Sequence, residues 1–312
     1  MTLTTQAPPT PRLAELVHDF AKANALSAKP KSVRRNTRII LTFFAERGIT
    51  AAEDVSPDDV QDFLVVMQER GRAPRTLHVY ASALRLFFRF LHQRGIIPTN
   101  PTWDIRLARP EQSLPIYLTP AEAERTLEQA RRSGVFVEVA VALFTGLRMS
   151  ELRFLRWEDV DLTARRLTVR RSKSGRVRTV WLCGMALAAL REQKAQYGRK
   201  QWVFPGGRGG HHHGQVWDHD HPRSLTWWDR IALRPVQAAI PKFQARGKGK
   251  VGSGWHLFRH SFASRLIQAG VSIYKVSKWL GHASVGTTHL YAHLSPTFDA
   301  DIERAECEGG GQ

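Results

Sequence analysis

Apolar positions recur with a helical period through most of the first hundred residues. Between 56 and 70, Val60, Phe63, Leu64 and Met67 fall at i, i+3, i+4 and i+7, which draws one stripe down a helix. Ser56, Pro57, Asp58 and Asp59 open it with an N-cap, a proline at the first helical position and acids in the first turn. Residues 32–47 carry Val33, Ile40, Phe43 and Phe44 on one side, with Arg34, Arg35 and Arg38 elsewhere. Residues 74–94 place Leu77, Tyr80, Ala81, Leu84, Phe87, Phe88 and Leu91 on one face. Gly48, Gly71 and Gly95 end these three helices. With one earlier helical stretch, the pattern predicts a four-helix domain over residues 10–97, preceded by a proline-rich lead.

The pattern then changes. Pro98, Pro101, Pro110 and Pro115 break any regular element and mark a connector over 98–117. Thr119, Pro120 and Glu122 form a capping-box start, and residues 135–144 are apolar nearly all round, as a buried helix requires. Residues 167–171 and 176–182 alternate apolar and basic side chains about Ser172–Lys173–Ser174–Gly175, a β-hairpin signature. Residues 224–240 read as a helix with Trp227, Trp228, Ile231 and Val236 inward. The fold class is mainly α with a small antiparallel hairpin or sheet, and an α+β second domain spans 118–308.

Charge changes the picture most. The chain of 312 residues carries 46 Lys/Arg against 28 Asp/Glu, a formal +18, which favours nucleic acid as the partner. The excess is spread: 16 basic against 10 acidic residues in 1–110, and 30 against 18 in 111–312. Arg72, Arg75, Arg85 and Arg89 form a candidate phosphate-facing surface on the first domain, although for any single one a solvated face is the default reading and only the net charge adds weight to the other. Cys183 and Cys307 stand far apart and give no disulfide framework, in keeping with a reducing cytoplasm. No signal peptide or membrane span is legible, and a cytoplasmic, nucleoid-associated protein is expected.

Candidate chemistry concentrates in residues 255–291. His256, Arg259 and His260 at i, i+3 and i+4 share one turn of helix, Leu280–Gly281–His282 ends a short amphipathic run, and Tyr291 follows. Cations and imidazoles beside a phenol suit chemistry on a phosphodiester, where anionic oxygens are held while the phenolic oxygen attacks. Upstream, Thr145–Gly146–Leu147–Arg148 leads to Glu151, which serves equally as a structural brace or to orient Arg148 as a fork for phosphate. Lys173 at the hairpin tip is either a soluble turn residue or a proton donor to a leaving oxygen. The tract 206–223 has five histidines with Asp218 and Asp220, but no regular spacing joins them, and a polar surface loop is the default over a metal cage. In residues 246–254, Ser253 follows Gly252 where a P-loop needs lysine, so ATP use has no support.

These motifs together resemble the tyrosine recombinase (phage integrase) family, of the simple two-domain, Xer-like type. TGLRMSEL at 145–152 is similar to the family's first arginine box, Lys173 in RRSKSGRVRTV to its hairpin lysine, HLFRHSFAS at 256–264 to its His-x-x-Arg-His box, and LGHASVGTTHLYAH at 280–293 to its final histidine and tyrosine box. The helical first domain resembles the family's SAM-like core-binding domain. The stretch before His256 looks longer than in compact members, and no separate domain is expected before residue 12.

The resemblance implies Tyr291 as nucleophile, forming a 3′-phosphotyrosyl bond and releasing a 5′-hydroxyl. It implies Arg148 and Arg259 as clamps on the non-bridging oxygens, Lys173 as general acid, His256 as assistant in proton transfer and His282 as a phosphate ligand, with Glu151 and His260 in support. His293 matches a frequent family position. Since the tyrosyl ester conserves the bond energy, neither ATP nor metal is expected, and no cofactor is. The implied partner is double-stranded DNA bearing a core site with inverted repeats, gripped by a C-shaped clamp. A homodimer would occupy each site and a homotetramer the synapse, with accessory directionality proteins open and no membrane involved. The tail 294–308, with Phe298, Ile302 and Ala305, packs on a neighbouring protomer or on its own domain. Three rivals stand beside this reading: a type IB topoisomerase-like relaxer, a DNA-binding protein that does not cut, and a metal-dependent nuclease built on the His/Asp tract.

Overall fold

The computed structural model describes residues 11–108, 114–170, 177–206, 221–239, 253–282 and 284–295. The chain divides into two compact units at Gln112/Ser113. The connector shares itself between them: Ile105 and Leu107 pack on the first core, Ile116 and Leu118 on the second.

The first unit is built from α1 (Pro11–Ala25), α2 (Pro30–Arg47), α3 (Pro57–Glu69) and α4 (Pro74–Gln93). The periodic stripes face one another as expected. Phe43 meets Phe63 and Phe88 edge to face at 5.3 and 6.0 Å, and Val60, Leu84, Phe87 and Leu91 are fully buried between them. Removing one such ring costs about 3–5 kcal/mol, which is why four helices of modest propensity hold together. Ser56 and Asp59 close the capping box that starts α3: the Asp59 backbone N–H donates to Ser56 Oγ, and Asp59 accepts the Ser56 N–H at 3.0 Å.

The second unit is centred on α6 (Phe136–Thr145), whose residues Val137–Leu143 are buried on all sides. Packed around it are α5 (Pro120–Arg132), α8 (Gly184–Tyr197) and α10 (Ser253–Gln268). The short α7 (Met149–Arg153) follows the turn at Gly146. The anticipated hairpin is present as β2 (Arg166–Val169) and β3 (Arg178–Trp181), paired antiparallel with Leu167 opposite Val180. A two-residue strand, β1 (Val160–Asp161), adds a third member in the order β1–β2–β3. Glu138, the polar interruption in α6, is buried and paired with Arg223, whose guanidinium lies 3.7 Å over the Trp227 ring.

One expectation needs correcting. Trp228 and Val236 point inward, but Ile231 is 53% exposed, and Ala232 and Leu233 are buried in its place. The segment Trp227–Leu233 is a π-helix running into α9 (Arg234–Ala239), and its wider turn moves Ile231 off the face that α-helical spacing assigns it. The π-turn places the Trp228 carbonyl to accept from the Trp255 indole at 3.2 Å, and the two rings pack edge to face 5.0 Å apart. That contact anchors the start of α10. The chain then continues through α11 (Ile273–Leu280) to a 3₁₀ turn, His289–Leu294, that lies against α10.

Candidate active site

Three arginines from three separate elements converge on the C-terminus of α11. Arg178 on β3 donates from Nε to the Trp279 carbonyl at 2.8 Å. Arg259 on α10 donates to the Leu280 carbonyl, and Arg148, at the start of α7, reaches the Gly281 carbonyl at 3.4 Å. Arg259 also donates to the Gly146 carbonyl, at the C-terminus of α6, at 2.7 Å. The last carbonyls of a helix have no partner within it and carry its negative end, so they are natural seats for cations. Both helices stop at a left-handed glycine, Gly146 at φ +64° and Gly281 at φ +64°. A side chain at Gly146 would strike the Phe262 ring at 2.5 Å, so the close approach of α6 and α10 also requires glycine.

Glu151 binds two of these arginines. It accepts the Arg148 backbone N–H at 2.9 Å and Arg148 Nη1 at 2.8 Å, while Arg178 closes on both of its oxygens at 2.9 and 2.6 Å. Although burial raises its pKa, hydrogen bonds from Arg178 and Arg148 outweigh that and hold the carboxyl below its usual range. Burial lowers Arg259 to about 9, with repulsion from Arg148 adding to it, so the group stays cationic at neutral pH. Three guanidiniums against one carboxylate leave a surplus of two positive charges.

His282 follows on the same turn, with Nδ1 2.7 Å from Thr288 Oγ1. Burial, then repulsion from Arg259, Arg148 and Arg178, lowers it to about 4, so the free ring is neutral at pH 7 and has one nitrogen left for another partner. Tyr291, only 2% exposed in the 3₁₀ turn, is hydrogen-bonded through its hydroxyl to His260 Nδ1 and lies within electrostatic reach of Arg259.

The sequence-derived set is therefore largely brought together. Arg148, Glu151, Arg259, His282, His260 and Tyr291 are joined by hydrogen bonds or direct electrostatic interaction. His256 sits one turn before Arg259 on α10 and is exposed, whereas Arg259 is buried and His260 half-buried. Lys173 lies outside the described residues, as do most of the histidine tract and the tail from residue 296. His289 and His293 are exposed. In the first unit, Arg72, Arg75 and Arg89 are exposed, whereas Arg85 is half-buried and donates to the Ile105 carbonyl. That bond ties Arg85 to its own unit's connector.

Sequence reasoning missed Arg178 and Thr288. A signal for Arg178 was available: strand alternation puts it on the same face as buried Val180, and an inward arginine requires a carboxylate. Thr288 carries no pattern signal. Among the described residues, no three His, Cys, Asp or Glu side chains are placed to share a metal ion, and no helix is long and apolar enough to cross a membrane.

Comparison with known proteins gives this geometry its context. Residues 117–297 match the model of the phage integrase family, and residues 30–95 that of the phage integrase N-terminal SAM-like domain. The tyrosine recombinase XerC of Roseiflexus sp. (strain RS-1) is 31% identical over 276 residues, covering 85% of this chain and 82% of that protein. In fold, the chain resembles the Tn1549 transposon integrase in complex with a circular intermediate DNA, at TM-score 0.68 and 21% identity over 94% of this chain and 98% of the other. It likewise resembles λ integrase as a tetramer bound to a Holliday junction, at TM-score 0.67 and 21% identity over 88% and 76% of the two chains.

Proposed function

Because the chain belongs to the phage integrase family, and is thus a tyrosine recombinase that cleaves and rejoins DNA at specific sites, we propose that Tyr291 is its nucleophile and Arg148 and Arg259 its phosphate clamp. The observation that carries this reading is the arginine cluster itself. Arg148 and Arg259 are fixed by main-chain carbonyls and Glu151, in electrostatic contact with the one buried tyrosine of the turn that follows.

In the reaction, the Tyr291 oxygen bonds to phosphorus and the bond to the 5′ oxygen breaks. The phenolic proton leaves by way of a neighbouring base, and a general acid returns a proton to the 5′ oxygen. Charge builds on the non-bridging oxygens, and the preorganised surplus of two positive charges stabilises it without reorganisation. Neutral His282 donates a hydrogen bond to the phosphate through its free nitrogen while Thr288 holds the other. Lys173 is the general acid, His256 assists proton transfer, and His260 sets the direction of the Tyr291 hydroxyl. A phosphotyrosyl ester keeps the energy of the bond it replaces, so rejoining by a 5′-hydroxyl needs no ATP.

The helical unit, with Arg72, Arg75 and Arg89 exposed, adds phosphate contacts on duplex DNA. Two protomers on each inverted-repeat site and four in the synapse are supported by λ integrase, solved as a dimer on a core site and as a tetramer on a Holliday junction. The protein acts where the DNA is, in the cytoplasm on the nucleoid.

The test is a nicked duplex carrying the site recovered by binding selection. A covalent protein–DNA adduct forms in EDTA and is lost in Tyr291→Phe. An adduct that persists in that variant removes Tyr291 from the role, and one that requires metal revives the nuclease alternative.

A further inference from the structure

We propose that Arg178 is a positioning residue for the cleavage reaction: it neutralises Glu151 so that the charge of Arg148 remains available to the phosphate. The inference rests on the reading of Arg148 as a phosphate clamp. Glu151 has two oxygens, each with two acceptor directions, and all four are used. Oε1 takes Arg148 Nη1 and Arg178 Nη1, while Oε2 takes the Arg148 backbone N–H and Arg178 Nη2. Arg178 is equally committed. Its Nε is held by the Trp279 carbonyl, its other two nitrogens by Glu151, and its side chain is 8% exposed against 20% for Arg148. Arg178 is a buried brace, and Arg148 is the member that keeps an open edge.

The charge count shows what the brace does. With Arg178 present, the carboxylate is shared, and the cluster has two positive charges over. Without it, Glu151 has Arg148 as its sole ion-paired arginine among the described residues, and the surplus falls to one. A phosphodiester carries one negative charge and its pentacoordinate transition state approaches two, so the loss bears on the transition state more than on DNA binding. Glu151 is needed to orient Arg148, and Arg178 relieves the electrostatic cost of having it there.

The experiment uses the full chain, the nicked duplex, and the single-turnover rate of adduct formation with the DNA concentration for half-saturation. Arg178→Gln should slow adduct formation by about 100-fold while half-saturation moves by less than about threefold. Adding Glu151→Gln to it should restore at least about tenfold, because the uncompensated carboxylate is then gone. A double variant no faster than Arg178→Gln, or a single variant as fast as the parent, overturns the proposal. Should Arg178→Gln fail to fold, Arg178→Lys carries the test. It keeps the charge and loses the fork, so its rate should stay within about tenfold of the parent, and a loss as large as that of Arg148→Ala overturns the electrostatic role. Arg148→Ala tests the underlying reading separately: full activity there removes Arg148 from the clamp, whatever Arg178 does.

Discussion

Replacing Gly281 by alanine is expected to be far more damaging than its distance from the chemistry of the phosphate suggests. Two costs combine. Gly281 caps α11 at φ +64°, a left-handed conformation that costs a residue with a Cβ about 1–2 kcal/mol. The new Cβ would also lie 2.8 Å from Arg178 Cδ and 3.0 Å from its Nη1, well inside the ~3.5–4.0 Å at which carbon contacts settle. Arg178 has nowhere to retreat without releasing Trp279 or Glu151, and one lost charge-assisted hydrogen bond is worth about 1.5–3 kcal/mol. The expected total is about 3–5 kcal/mol, most of it passing through Arg178. Urea unfolding followed by tryptophan fluorescence reads this well, since eight of the nine tryptophans follow residue 112. In an Arg178→Ala background the same substitution should cost only the backbone share, about 1–2 kcal/mol. Equal costs in the two backgrounds would refute the argument that the clash with Arg178 is the cause.

Other outcomes follow from the same geometry. Arg259→Lys cannot span the Gly146 and Leu280 carbonyls and still face the phosphate, so adduct formation should fall by about 100- to 1,000-fold in the single-turnover assay; a smaller loss than tenfold would contradict the clamp. His282 takes up its proton at about 4 in the folded chain but near 6.5 when unfolded, so the unfolded state binds more protons between those values and stability falls as pH drops through that window. His282→Gln should flatten the dependence of Tm on pH there, and an unchanged slope would show that the ring titrates normally. Arg223→Ala leaves the Glu138 carboxylate buried without its cation and should cost about 3–5 kcal/mol in urea unfolding, whereas adding Glu138→Gln should recover a substantial part of it.

How far the sequence reached depended on whether a feature leaves a periodic trace. The stripe Val60–Phe63–Leu64–Met67 and the capping residues Ser56 and Thr119 located helices to within a residue or two, because burial and caps act through local spacing. Arg148, Arg259, His282 and Tyr291 were legible because they sit in recognisable short motifs, and all four reach one site. Features set by tertiary packing were not legible. The π-turn that exposes Ile231 answers to Trp255, a residue 24 positions further on, and no local pattern announces it. The carbonyl acceptors at 279–281 have no side-chain signature at all. Arg178 fell between these cases: its inward face was readable from strand alternation, but its partner was not.

Those carbonyl acceptors set the terms on which this site tolerates change. The groups that seat the three arginines belong to the main chain, so the side chains of Trp279 and Leu280 are released from the chemistry and answer only to packing. A drifting sequence can exchange them for other residues of suitable shape and lose nothing at the phosphate. What it cannot exchange is the path of the backbone through this turn, and a short deletion there would dismantle the cluster while leaving Arg148, Arg178, Arg259 and Tyr291 in the gene.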